Sequence, residues 1–171
     1  MRIKKTFQTT VPTGKVLNSY TESNVDTYSC NYVNQIGKTA KINLNSSGQN
    51  FPQNTDVTVD FDTIEYNQIS NLTLDDNKIV IGAGIHTILL SARYSCPSGT
   101  YGKYIYIRKD GNPYEQLAFK MTKQDNTLET SMVIPVQEGD KYYIAAYQEN
   151  TSALTISSSA SQTFMTVTVL N

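Results

Sequence analysis

The chain has 171 residues, a formal net charge of −1, 17% charged residues and 12 tyrosines. This length predicts one domain with a core large enough to fold without a disulfide or a metal ion. The lysines and arginines form no basic stripe, which argues against a protein that binds the phosphate backbone of nucleic acids. Abundant tyrosine, threonine, valine and isoleucine are instead typical of β-sheets.

The N-terminus is basic but lacks the other features of a secretory signal. No apolar run of the required length follows Met1–Lys5, and no segment is apolar over the length that a transmembrane helix needs. We therefore expect synthesis in the cytoplasm and no insertion into a membrane. Cys30 and Cys96 lack the spacing of metal ligands and are expected to be free thiols, with a disulfide between them as the alternative.

Residues 1–38 are predicted to form an N-terminal anchoring region. Residues 1–25 are polar and lack periodicity, which indicates an extended arm. Residues 26–36 predict a short helix that begins at Asp26 and ends before Gly37. The apolar stripe of this helix consists of Tyr28, Tyr32, Val33 and Ile36. A helix this short is marginal in water, so we expect it to pack against the main domain or in a bundle of several copies.

Residues 39–171 are predicted to form a second domain made of strands. Alternating apolar and polar residues, with turn signals about every 8–12 residues, predict about ten short strands in a sandwich or barrel. The polar segment 62–71 is expected to be a loop, and Asp110-Gly111 is expected to turn a hairpin.

The longest apolar run, residues 84–94, predicts a strand that is covered on both faces. Strand alternation places His86, Ile88 and Leu90 on one side of it. His86 is the only histidine. We expect it to lie within the strand as a core or interface residue, because no nucleophile motif accompanies it as a catalytic base would require.

Carboxylates cluster in two places, at Asp60, Asp62 and Glu65 and again at 75–77. A calcium site needs six to eight oxygen ligands, and neither cluster has the loop spacing of a known calcium-binding hand. We therefore interpret both clusters as solvated turns. No phosphate-binding loop or nucleophile elbow is present in the sequence, so no catalytic residue, metal or cofactor is expected.

Tyrosines are the remaining candidates for a functional surface. Alternation along 141–147 directs Tyr142 and Ile144 into the core and leaves Tyr143 and Tyr147 on the opposite face. Exposed aromatic side chains indicate a subunit interface or a saccharide platform. Of these two, we favour the interface.

The order of these signals from about residue 56 to residue 170 resembles that of complement-1q-like and tumour-necrosis-factor-like jelly rolls. The matching motifs are Val57-Thr-Val-Asp-Phe61, Ala83-Gly-Ile-His86, Ile105-Tyr-Ile-Arg-Lys-Asp-Gly111, Val136-Gln-Glu-Gly-Asp140 and Ser161-Gln-Thr-Phe164. One position departs from the family pattern, since His86 stands where an aromatic residue is favoured two residues after the glycine.

The resemblance implies a ten-stranded jelly-roll sandwich that forms a compact homotrimer and acts by binding rather than catalysis. One sheet of each subunit would then lie around the threefold axis, and trimerisation would cover sheet edges and apolar faces. The candidates for the trimer interface are His86, Ile88, Tyr143, Tyr147 and Phe164.

A shorter segment, residues 27–34, resembles sequences found ahead of fibre and baseplate domains in phages of Gram-positive bacteria. Together the two resemblances predict a virion protein: a short fibre, head fibre or tail-tip protein that attaches to other virion proteins through residues 1–36. Such a protein could also bind a saccharide or protein of the host surface. The alternatives are a bacterial surface or secreted adhesin, a cytokine-like ligand and, last, a polysaccharide-cleaving enzyme.

Overall fold

A computed structural model of the chain describes residues 35–44, 47–98, 101–111, 114–123 and 125–171. All of them belong to one compact unit, Gln35–Asn171. Within these ranges the chain forms strands and turns and no helix. Almost all of the predicted anchoring helix lies outside the described residues.

Thirteen strands lie in the described part of the chain, rather than about ten. They are β1 (Thr39–Asn43), β2 (Gln49–Phe51), β3 (Val57–Thr58), β4 (Thr63–Asn67), β5 (Leu72–Asp75), β6 (Lys78–Ile81), β7 (Thr87–Ser95), β8 (Lys103–Lys109), β9 (Glu115–Thr122), β10 (Thr127–Pro135), β11 (Lys141–Gln148), β12 (Leu154–Ile156) and β13 (Phe164–Val169). The prediction of a loop over 62–71 is wrong, because β4 lies within it. This strand is almost entirely exposed and so lacks the alternation that marks a half-buried strand.

The strands form two main antiparallel sheets. The five-stranded sheet has the order β10-β7-β13-β1-β4, and the six-stranded sheet combines β5-β6-β11-β8-β9 with β3 paired to β11. A small ladder joins β12 to β2. The last strand of the chain, β13, therefore lies in the middle of a sheet, between β1 and β7.

The core lies between the two main sheets, as the alternation of β7 predicts. Ile88, Leu90 and Ala92 are fully buried on the inward side of β7, and Ile107 and Ile144 meet them from the other sheet. The inward direction of Tyr142 and Ile144 is confirmed, since both belong to this core. Burial of these apolar side chains is the main stabilising contribution to the fold.

His86 is exposed and precedes β7, so the prediction that it lies within the strand as a core residue is wrong, while its role as an interface residue stays a prediction. The chain turns at Gly84, whose φ of +80° favours glycine. Gly82 is needed for a different reason, because a Cβ there would lie 2.3 Å from the carbonyl oxygen of Asn71. The residue that this turn buries is Ile85.

Lys103 is a fully buried cation at the start of β8. Its ammonium group donates to the carbonyl oxygens of Pro97 and Asp125, at 3.2 and 2.6 Å. These bonds join two loops at one end of the sandwich. Nearby, Cys96 is a free, buried thiol whose pKa is raised by burial, so it behaves as a small apolar side chain.

Candidate functional site

The outer surface of the six-stranded sheet is rich in aromatic rings. Strand alternation directs Tyr104, Tyr106 and Arg108 outward from β8, and Tyr143 and Tyr147 outward from β11. We call these five side chains the tyrosine face. Tyr104 is parallel to Tyr106 with ring centroids 6.1 Å apart, and it meets Tyr147 edge to face at 5.7 Å. Both arrangements lie in the favourable range for aromatic pairs.

The guanidinium of Arg108 contacts two aromatic rings and a carboxylate at one end of this face. Its central carbon lies 4.6 Å from the ring centroid of Tyr106 and 4.3 Å from that of Tyr114. An Nη atom also pairs with a carboxylate oxygen of Asp56 at 3.1 Å, and the Arg108 side chain is only 6% exposed. The positive charge is therefore paired within the chain with two ring faces and a carboxylate, while the buried Nε of Arg108 has no hydrogen-bond partner in the described part of the chain.

Oxygen atoms border the rings. The hydroxyl of Tyr104 donates to Glu149 at 3.2 Å, and that of Tyr147 contacts the amide oxygen of Asn54 at 3.5 Å. Loss of hydration and the nearby Glu149 raise the pKa of Tyr104, while loss of hydration and Asp56 raise that of Tyr106. Both hydroxyls therefore stay protonated at neutral pH and can donate hydrogen bonds.

The outer surface of the five-stranded sheet has a different composition. The register of β10, β7 and β13 places Ser131, Ser91 and Thr166 side by side across its middle. The next row contains Leu89 opposite Val133. We call the outward side chains of this sheet the five-stranded face; its centre carries small hydroxyl groups and aliphatic side chains.

Charged side chains on the five-stranded face lie in this middle row and in the row beside it, since Lys41 is opposite Thr166 and Arg93 is opposite Phe164. Lys41 is 2.7 Å from Glu65 and lies over the ring of Phe164, 5.0 Å from its centroid. Arg93 faces Glu129 across the strand pair β7–β10, and its Nε has no hydrogen-bond partner in the described part of the chain. Lys41 and Phe164 thus contact each other on the adjacent strands β1 and β13, next to the short side chains of Ser91 and Thr166.

Large apolar side chains are exposed on β9 and β10, the strands that end the two sheets. Phe119 is 61% exposed, Val133 52% and Met121 44%. We call these three residues the β9–β10 edge. Phe119 and Met121 lie opposite Tyr106 and Tyr104 across the β8–β9 pair, so they extend the outer surface that carries the tyrosine face, and the ring centroids of Phe119 and Tyr106 are 6.3 Å apart. Val133 lies on the five-stranded face instead. Large exposed apolar side chains on edge strands indicate surfaces that another molecule covers.

The structure does not bring the five predicted interface residues together. Phe164 lies half-buried on the five-stranded face and His86 lies exposed in the turn before β7, whereas Ile88 is enclosed in the core of its own chain. Tyr143 and Tyr147 lie on the other sheet. Ile36 is exposed, and the other three anchoring-helix residues, Tyr28, Tyr32 and Val33, lie outside the described residues.

The two predicted acidic clusters approach each other at Asp60. Asn77 donates to its carboxylate at 3.2 Å. Partial burial, Asp62 and Asp76 together raise the pKa of Asp60. Among the described residues, no group of three or more His, Cys, Asp or Glu side chains could hold a metal ion. Nor does the described chain contain a helix long and apolar enough to cross a membrane.

No family model and no curated protein matches the sequence. Solved structures do match the fold. Murine APRIL at pH 8.0 is 13% identical with a TM-score of 0.65, and the alignment covers 78% of this chain and 98% of that one. The Eiger TNF of S. frugiperda is 14% identical with a TM-score of 0.57, covering 79% of this chain and 94% of that one.

These identities are too low to show more than the fold. The chain is an all-β jelly-roll sandwich of the tumour-necrosis-factor type, as the ordered motifs predicted. Sequence reasoning missed Arg108 as the centre of the tyrosine face and Val133 as part of an apolar edge. A signal for the first was present, because β8 carries bulky side chains on both faces rather than polar ones on one.

Proposed function

We propose that this chain is a non-enzymatic, homotrimeric structural and adhesion protein of a bacteriophage particle: a short fibre, head fibre or tail-tip protein. The observation that carries the trimer is the exposed apolar side chains of the two edge strands, β9 and β10. Phe119, Met121 and Val133 are exposed on these strands in a single chain. Contact with a second copy would remove them from water.

The arrangement supports a ring of copies rather than a two-fold dimer. Phe119 and Met121 on β9 and the middle of the five-stranded face are different patches on one chain, so contact between them is head to tail. Copies joined in this way form a closed ring when the rotation from one copy to the next divides a full turn. Three copies form such a ring with a rotation of about 120°. Small side chains such as Ser91 and Thr166 let the edge of the next copy approach closely.

The phage setting is supported by the resemblance of residues 27–34 to segments that precede fibre and baseplate domains. In this proposal residues 1–38 attach the head domain to other virion proteins, and the particle is its location. The bacterial surface or secreted adhesin remains the alternative. It predicts the same jelly roll but a partner in the cell envelope instead of a particle.

Mass measurement in solution tests the trimer. The full chain at micromolar concentration should have three times the mass of one chain. Val133→Asp should shift it towards the monomer, because a buried unpaired charge at the contact is costly. Tyr101→Asp is the matched control, since Tyr101 is also exposed but precedes β8 and belongs to neither β9 nor β10. A monomeric wild-type chain, or equal loss of mass by both variants, contradicts the proposal.

Deletion tests the attachment. Removing residues 1–34 keeps Gln35, whose side chain donates to Ser70 at 2.7 Å, and Gly37, whose amide donates to Val169 at 2.8 Å. The shortened chain should still fold and trimerise but should be missing from purified particles. Incorporation of the shortened chain at the wild-type level would contradict anchoring by the N-terminus.

A further inference from the structure

We propose that the tyrosine face binds a neutral polysaccharide chain, with Tyr104, Tyr106 and Tyr147 as the contact rings. The proposal deepens the adhesion role above, on which its biological setting rests. It differs from the interface role that the sequence favoured for Tyr147.

The first argument is the chemistry of the rings and their border. A pyranose has an apolar face of C–H groups and a periphery of hydroxyls. Tyr104, Tyr106 and Tyr147 offer ring surface to the first. Glu149 and Asn54 hold oxygen acceptors at the border, within hydrogen-bond distance of two tyrosine hydroxyls. Few polar groups placed around aromatic surface are typical of sites that orient a small ligand.

The second argument is charge. Arg108, the cation that lies over the ring of Tyr106, is 6% exposed and paired with Asp56. Its charge is therefore unavailable to a phosphate, sulfate or carboxylate group on a ligand. Glu149 is exposed at the border and would repel such a group. The surface thus favours an uncharged saccharide over an anionic one.

The third argument is size. Fully exposed aromatic side chains present about 150–250 Å² each, so three half-buried tyrosines offer on the order of 200 Å². A stable protein interface buries roughly 800 Å² on each partner. Phe119 and Met121 extend the same outer surface beside Tyr106 and Tyr104, and even with them the exposed area falls short of that value. A chain of two or three sugar residues would cover the three tyrosine rings.

The fourth argument is rigidity. Tyr106 is held by Arg108, and Tyr104 is held by Tyr106 and by its bond to Glu149. Ala145, opposite Tyr106 on β11, is only 1% exposed, so the surrounding side chains already cover the sheet at this point. Because the side chains are already ordered, binding costs little conformational entropy, which matters for a weakly binding ligand such as a sugar.

Affinity electrophoresis of the full chain tests the proposal. The gels contain soluble starch, yeast mannan, galactomannan or hydroxyethylcellulose, and the measurement is retardation relative to a polysaccharide-free gel. At least one polysaccharide should retard the wild type. Tyr106→Ala should weaken that retardation about tenfold, and Tyr106→Phe should largely keep it because the ring remains. Tyr66→Ala, on the exposed strand β4 of the other sheet, is the matched control and should bind as the wild type does.

Each outcome decides the question. No retardation by any of the four polysaccharides, or equal retardation of the wild type and Tyr106→Ala, overturns the proposal. Urea unfolding of each variant separates lost binding from lost folding, and a second variant, Tyr104→Ala, replaces Tyr106→Ala if the latter unfolds. Mass measurement of the same samples keeps the trimer separate, since a trimer that binds no polysaccharide removes this inference and leaves the proposed assembly standing.

Discussion

The two outer surfaces of the sandwich differ in how firmly their side chains hold one another in place. On the tyrosine face, rings and a buried guanidinium hold one another, and Arg108 alone contacts Tyr106, Tyr114 and Asp56. On the five-stranded face, Ser91, Ser131 and Thr166 leave a smooth centre of short side chains. A smooth face is suited to close contact with another chain, while ordered rings are suited to a ligand. One fold can therefore separate assembly from recognition.

The largest expected effect comes from placing the same charge on each face. Ser91→Arg puts a long cation in the middle of the five-stranded face, beside Arg93 and Lys41, where three copies are proposed to meet. The mass in solution should fall to that of a single chain. Tyr147→Arg puts the same side chain on the tyrosine face and should leave a trimer, as light scattering after size-exclusion chromatography would show.

The reverse result would break the comparison. If Tyr147→Arg dissociates the trimer and Ser91→Arg does not, the tyrosine face is the subunit contact, as the sequence favoured for Tyr143 and Tyr147. Far-ultraviolet circular dichroism should match the wild type in both variants, because both positions point away from the core.

A smaller effect, on the free energy of unfolding, is expected when the arginine of each face is replaced. Arg108→Met should lower the free energy of unfolding by about 2–3 kcal/mol, since it deletes two cation–ring contacts and a charge-assisted hydrogen bond at a buried position. Arg93→Met should cost under about 1 kcal/mol, because Arg93 is half-buried and belongs to no salt bridge in the described ranges.

Urea unfolding at a fixed chain concentration measures both values, since the stability of an oligomer depends on concentration. Equal losses for the two variants would mean that the ring contacts of Arg108 add nothing to the fold. Tyr114→Leu should reproduce part of the Arg108→Met loss, because it removes one of the two rings and leaves the carboxylate of Asp56 in place.

Sequence patterns predicted the sandwich well because alternation follows directly from strand geometry. Ile88 and Leu90 point into the core as their spacing required. The same rule failed two residues earlier, at His86, because the chain is still in the turn that Gly84 allows and strand parity does not yet apply. Side chains alternate between the two faces only within the strand itself. The residue at which the strand begins depends on its pairing with strands that are distant in sequence.

The surfaces were harder to predict because they depend on contacts between segments. Arg108 meets Asp56 from a segment 52 residues away, which no local pattern indicates. Val133 could be assigned to the face opposite Ile134, but only the position of β10 at a sheet edge makes that residue exposed. Composition therefore indicated aromatic and apolar surfaces, and topology decided where they lie.

The smallest expected effect is a change in thermal stability at Asp60, whose charged form is disfavoured by burial. Burial and two nearby carboxylates raise the pKa of Asp60 above its usual value of 3.8. Its ionisation therefore costs stability, and that cost appears as the pH rises through the folded pKa. Asp60→Asn removes the charge and keeps an oxygen that can accept from Asn77. Its melting temperature should exceed that of the wild type by a few degrees at pH 7 and equal it below about pH 4.

Asp75→Asn is the comparison of opposite sign. A hydrogen bond from Lys141 lowers the pKa of Asp75, so its ionised form stabilises the fold above the unfolded pKa, and this contribution is lost as the pH falls through the folded pKa. The variant should melt below the wild type at pH 7 and approach it in acid. Thermal melts of both variants between pH 3 and 7 should therefore diverge in opposite directions as the pH rises. If the melting temperatures of the two variants changed with pH in the same way, the Asp60 carboxylate would be solvated like that of an ordinary turn residue.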